Sequence, residues 1–140
     1  MSTRQTVLIV DHERTIRAAL ARELKANYEV LVARDGLEAV RIYEAHGEQI
    51  STILIDPRLP RLDGQAVADW VHHIRPDLPI IVMSTAAEEL PDSNGVLFVR
   101  KPFHLPELKR LLRSILTQQP VIHASEGTEK EANVQVCYHR

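Results

Sequence analysis

STILIDPRLPRLDG, Ser51 to Gly64, is a short apolar run that stops on a single carboxylate, Asp56. Pro57 and Pro60 fix φ in the segment that follows and make it stiff. Asp63-Gly64 closes it as a turn. A carboxylate at the carboxyl end of a buried strand, facing a rigid loop, stands where open α/β sheets place their sites. The remaining sequence is therefore read for two things: whether strands and helices alternate around this one, and which groups converge on Asp56.

They do alternate. Val7-Leu8-Ile9-Val10 is a continuous apolar run, the mark of a strand covered on both faces, and ends at Asp11-His12-Glu13. Glu13 to Asn27 reads as a helix, with Ile16, Leu20 and Leu24 on one side and Arg17, Arg22 and Lys25 on the wet side. Tyr28 to Ala33 is a second strand and Asp35-Gly36 a turn. Leu37 to Glu48 is a second helix with Leu37, Val40 and Tyr43 or Glu44 inward and Gly47 as its stop. After the third strand, Ser51 to Ile55, comes a helix from Gly64 to Ile74 with Val67, Trp70, Val71 and Ile74 on one face. Ile80–Met83 and Val96–Val99 are further strands, and Leu105 to Gln118 is the last helix, with Leu108, Leu111, Leu112 and Ile115 inward. Pro106 is allowed in its first turn. Between Ser84 and Gly95, Pro91 and Asp92-Ser93-Asn94-Gly95 leave room for little more than one helical turn, so a shortened or missing fourth helix is expected. The order implies a doubly wound, five-stranded parallel sheet with right-handed crossovers.

Composition narrows the function classes. A chain of 140 residues is expected to form one domain, here residues 1–118, followed by a flexible tail at 119–140 in which Val134 to Tyr138 forms at most a short strand or clip. A net charge of −2 gives no footprint for nucleic acid or an anionic membrane. No apolar run approaches the roughly 18 residues that span a bilayer. One cysteine, Cys137, excludes an internal disulfide, and a cytoplasmic location is expected.

Because parallel strands share one carboxyl edge, Asp11-His12-Glu13, Asp56, Ser84-Thr85 and Lys101 converge there. Asp56 is a candidate nucleophile toward phosphorus, with Lys101 and the Ser84 hydroxyl holding phosphate oxygens. A hard divalent cation would complete such a site through oxygen ligands. VLIVDHE, LIDPRLPRLDG, PIIVMST and FVRKPF, in this order at four strand ends, resemble the motifs of the response-regulator receiver domain of two-component signalling, a flavodoxin-like (βα)5 fold, over about Gln5 to Gln118. The resemblance implies that Asp56 is the phosphoacceptor, with Lys101 and Ser84 as its catalytic helpers. Ser84 and Phe98 become the switch residues. Asp11, Asp56 and the backbone carbonyl of Arg58 become ligands of Mg²⁺, and Lys101-Pro102 a candidate cis peptide.

His12 departs from the family, which has a second acidic metal ligand there. Imidazole suits softer ions than Mg²⁺. Three outcomes stand side by side: Glu13 or His12 completes the metal site, Mg²⁺ binding is weakened or another ion is taken, or phosphorylation is impaired. Ala86 offers nothing to orient an attacking water, so any self-dephosphorylation is expected to be slow, and Arg58 is placed to pair with or shield a phosphoryl group.

The function expected is a single-domain receiver, not an enzyme, taking phosphate from a sensor histidine kinase or phosphotransfer protein. It would act through protein contacts on an output partner not identified, with a homodimer left open, partly through Leu105 and Leu116. The alternative is a phosphorylation-independent pseudo-receiver that serves as an interaction module. An Asp-nucleophile phosphohydrolase is disfavoured because Arg58 stands where such enzymes need a second acid. Singly, each residue has a plainer role: Ser84 as a turn residue, Lys101 solvated, Trp70 in the core, and His72-His73 on a partly exposed face.

Overall fold

Side chains on alternate strand positions point to opposite faces, so a strand apolar at every position must be covered twice. The computed structural model describes residues 4–85, 96–117 and the backbone of 134–135, and it bears this out. The elements run β1 (Thr6–Val10), α1 (Arg14–Leu24), β2 (Glu29–Ala33), α2 (Gly36–His46), a 3₁₀ turn (Gly47–Gln49), β3 (Ile50–Ile55), α3 (Gly64–Ile74), β4 (Ile80–Ser84), β5 (Val96–Arg100), α4 (Leu105–Leu116) and β6 (Val134–Gln135). The sheet order is β2-β1-β3-β4-β5-β6. β1 to β5 pair in parallel, in the strand order of flavodoxin-like folds. β6 is added antiparallel at the outer edge of β5. The expected fourth helix falls on residues 86–95, outside the described residues, as does most of the tail.

The two faces build two cores. Leu8, Val10, Ile53, Ile55, Val82 and Phe98 pack with Val67, Ala68 and Val71 of α3 and Tyr43 of α2. Val7, Ile9, Leu54, Met83, Leu97 and Val99 pack with Leu20 and Leu24 of α1 and Leu108, Leu111, Leu112 and Leu116 of α4. Each such leucine contributes about 1.5–3 kcal/mol relative to an exposed one.

Some inward or outward assignments change. Ile74, the last residue of α3, is exposed; Ala68 takes an inward place. Leu116 is buried and Leu105 is partly buried against the core. Arg17 is half-buried rather than on the wet side, for the reason given below. Trp70 is only partly buried, packed edge-on against Tyr43 at a centroid distance of 5.6 Å.

Candidate functional site

The site is built by two neighbouring strands that end on carboxylates. β1 and β3 pair with Val10 opposite Ile55, so Asp11 and Asp56 leave the sheet side by side. The backbone N–H of Asp56 donates to the Val10 carbonyl at 2.9 Å, and that of Asp11 to Ala33 at 3.1 Å. Both are therefore fixed by the sheet, not by the loops beyond it. The loops then do the same thing twice. The Glu13 N–H donates to Asp11 Oδ1 at 2.9 Å, and the Arg58 N–H to Asp56 Oδ1 at 2.8 Å. These two-residue side-chain turns are what Asp does well. Each carboxylate is left with its Oδ2 facing the same point.

Lys101 occupies that point. Its Nζ lies 2.6 Å from Asp11 Oδ2 and 2.7 Å from Asp56 Oδ2, with Glu13 Oε1 at 4.0 Å. The lysine comes directly off β5, and its backbone N–H donates to the Ser84 carbonyl at 2.8 Å, tying β4 to β5 at the edge. The Lys101–Pro102 bond is cis. Asp11 is fully buried, and Asp56, Ser84 and Lys101 nearly so. Burial alone would lower the Lys101 pKa. Hydrogen bonds and charge from Asp11 and Asp56 overcome it and hold the ammonium above its ordinary value. Two carboxylates against one ammonium leave a net negative charge at a buried place, which attracts a cation or phosphate-borne metal.

His12 is exposed, yet a ring nitrogen and carboxylate oxygens of Asp11 and Asp56 all lie within 4.8 Å of one another. Glu13 is not part of that group; its carboxylate is half-exposed and paired at long range with Lys101. Of the two candidate substitutes, the geometry favours His12. Two buried carboxylates suit a hard divalent ion, whereas an imidazole is a ligand better matched to softer ions such as Zn²⁺. Phe98, the expected switch aromatic on β5, is fully buried and packs in the core shared with α2 and α3.

One supporting residue escaped the sequence. Arg17 Nη1 donates to the Asp11 carbonyl at 2.8 Å, pinning the turn into α1. Its spacing, one turn past Glu13 on the face turned back toward β1, is the signal that could have found it. The loop after Asp56 is equally constrained. A Cβ on Gly64 would come to 1.9 Å from the Asp56 carbonyl oxygen, and one on Gly36 to 1.9 Å from that of Leu62. Only glycine lets α3 start against the Asp56 backbone. Arg61 in the same loop adopts a positive φ of 74° and pairs with Asp35 at 3.8 Å. A cleft of about 620 Å³ between Tyr43, His46, Trp70 and Arg75 lies at the other end of the sheet and takes no part in this cluster.

An open parallel sheet with two carboxylates and a lysine at its carboxyl edge defines a receiver-type signalling domain. Residues 7–113 match the model of the response regulator receiver domain, and the chain belongs to that family. It is 33% identical over 127 residues to the response regulator MprA of Mycobacterium bovis (strain BCG / Pasteur 1173P2), covering 86% of this chain and 54% of that protein. It thus spans about half the length of the curated relatives it matches. Among solved structures, the receiver domain from hybrid histidine kinase CckA is 30% identical with a TM-score of 0.68, covering 79% of this chain and 98% of that one. Response regulator TrrA of Thermotoga maritima, solved in complex with Mg²⁺-BeF, is 26% identical with a TM-score of 0.71, covering 80% and 99%. The chain is a receiver domain of the two-component type with a flavodoxin-like fold.

Proposed function

We propose that this chain accepts a phosphoryl group on Asp56 from a phosphohistidine of a sensor kinase or phosphotransfer protein and passes the signal on by protein contact. The observation that carries this is the Lys101 ammonium seated between the two Oδ2 atoms. Asp56 Oδ2 forms the new O–P bond as the P–N bond to the donor histidine breaks, and the released imidazole takes a proton. Arg58 N–H keeps Asp56 Oδ1 turned away, so a single oxygen faces phosphorus. Lys101 exchanges its contact with Asp56 for a phosphoryl oxygen while Asp11 keeps hold of it, so the positive charge stays in place as charge builds up on phosphorus. Ser84, at the end of β4, supplies a hydroxyl at the same edge.

Asp11, Asp56, His12 and the Arg58 carbonyl would hold a divalent ion, which when bound neutralises phosphoryl oxygens. With Ala86 in the sequence, no side-chain donor orients water at that position, and the acyl phosphate is expected to be long-lived.

Incubation with a small acyl-phosphate donor in Mg²⁺ and, separately, Mn²⁺ tests the proposal by intact-protein mass. A one-phosphoryl adduct in at least one ion, lost in Asp56→Asn, is expected. No adduct in either ion, or one that persists in Asp56→Asn, overturns it. A second reading, the phosphorylation-independent interaction module, rests on His12 at the acidic ligand position and is what a failure in both ions would leave standing.

A further inference from the structure

β5 is an edge strand with an unusual occupant. On its inner side it pairs with β4 over five positions, Ile80 to Ser84 against Val96 to Arg100. On its outer side the only described partner is β6, antiparallel, with Phe98 opposite Gln135 and Val99 opposite Val134. Val96, Leu97, Phe98 and Val99 carry no charge and are all buried. The strand ends on the exposed Arg100, but its four preceding positions are apolar, and an apolar strand edge is a template for an extended chain. The sequence of the added strand supports the pairing independently, because Val134-Gln135-Val136 alternates apolar and polar as a half-covered strand does.

We propose that the segment around Val134–Gln135 is a displaceable strand that closes the β5 edge in cis, and that this edge is a docking surface for one extended peptide at a time. Two paired residues make a weak contact. The tether decides which strand makes it. Seventeen residues, 117–133, separate α4 from β6 and reach at most roughly 55 Å when extended. A tether of that length keeps it at an effective concentration on the order of millimolar, above that of a second copy in dilute solution. Main-chain hydrogen bonds supply the attraction, so a peptide from a partner can replace it without matching its side chains. The proposal does not depend on phosphorylation of Asp56.

Residue-resolved amide hydrogen exchange on the full chain tests it. In the wild type, the β5 amides that face away from β4 are expected to be protected, equally at low and high protein concentration. Val134→Pro removes an N–H and is barred from the pairing, so those amides exchange about tenfold faster or more while β1 and β3 are unchanged. An excess of the peptide EANVQVCYHR, residues 131–140, is expected to restore protection in the variant. Unchanged β5 exchange in Val134→Pro, or no rescue by the peptide, overturns the proposal. So does wild-type protection that rises with protein concentration, which would assign the strand to a second copy. Should Val134→Pro also loosen β1 and β3, the wild type alone decides: unprotected outward amides in β5 refute the docked strand.

Discussion

Lys101 is a buried lysine that stays charged because it bridges two carboxylates. Its pKa lies above the ordinary 10.5: burial pulls it down, and the hydrogen bonds it donates to Asp11 and Asp56, with their charge, raise it by more. A raised pKa means that the folded state holds the proton more tightly than the unfolded chain does. The stabilisation is therefore fully present below about pH 10.5 and is lost as pH climbs through the higher folded value. Lys101→Met removes it and leaves two carboxylates facing each other out of water. We expect a loss of about 3–5 kcal/mol at neutral pH by urea denaturation. The alkaline limb expected of the wild type should be absent from the variant. A variant as stable as wild type at pH 7 would show that the ammonium does not hold the pair together. His12 makes a separate prediction. His12→Asp replaces a nitrogen ligand by an oxygen one, and calorimetry should find Mg²⁺ bound about tenfold more tightly.

Helix starts set the loops that carry the site. α2 is capped by Asp35, whose side chain accepts from the Glu38 N–H at 2.8 Å, while the Glu38 carboxylate accepts from the Arg34 N–H at 2.8 Å. Asp35→Ala should cost about 1 kcal/mol in thermal unfolding, the usual worth of such a cap. α3 has no side-chain cap, and its first residue, Gly64, instead lies against the Asp56 carbonyl. Gly64→Ala drives a methyl into backbone that cannot step aside, and should cost about 1–3 kcal/mol or more and displace Asp56. Gly47→Ala, whose Cβ would meet only the Tyr43 ring at 3.1 Å, should cost less. Denaturation midpoints of the two variants decide the order. These elements were legible because their signals are local. Four-residue apolar runs, helical spacing and the turn pairs Asp35-Gly36 and Asp63-Gly64 fix type and order, and α3 falls on Gly64–Ile74 as read. What was not legible depends on where an element ends relative to its neighbours. Ile74 carries the right spacing but is exposed at the end of α3, and Arg17 has a charged residue's pattern but a carbonyl within reach. Of the site, the convergence of Asp11, Asp56 and Lys101 follows from strand ends alone. The geometric choice of His12 over Glu13 does not, because it turns on how the chain leaves β1.

The sheet makes the two helical layers one cooperative unit. β5 shows how: Val96 and Phe98 belong to the core under α2 and α3, and Leu97 and Val99 to the core under α1 and α4. β1 and β4 divide their residues in the same way. Neither layer can lose its cover without exposing a strand that the other layer still needs, so the described domain should unfold in a single step. Trp70 makes this testable, because it packs only against the α2–α3 side, beside Tyr43. Leu112 is fully buried on the opposite side. Leu112→Ala should destabilise by about 2–5 kcal/mol through lost contacts and the cavity left behind. If the sheet transmits that loss, Trp70 fluorescence and far-ultraviolet circular dichroism will report the same lowered urea midpoint in the variant. If the layers are independent, the Trp70 transition will stay at its wild-type midpoint while the dichroism splits into two steps. Single-step loss would also mean that the Asp11–Lys101–Asp56 cluster, which joins β1, β3 and β5 at one edge, is lost only with the whole sheet and not by separate fraying of its loops.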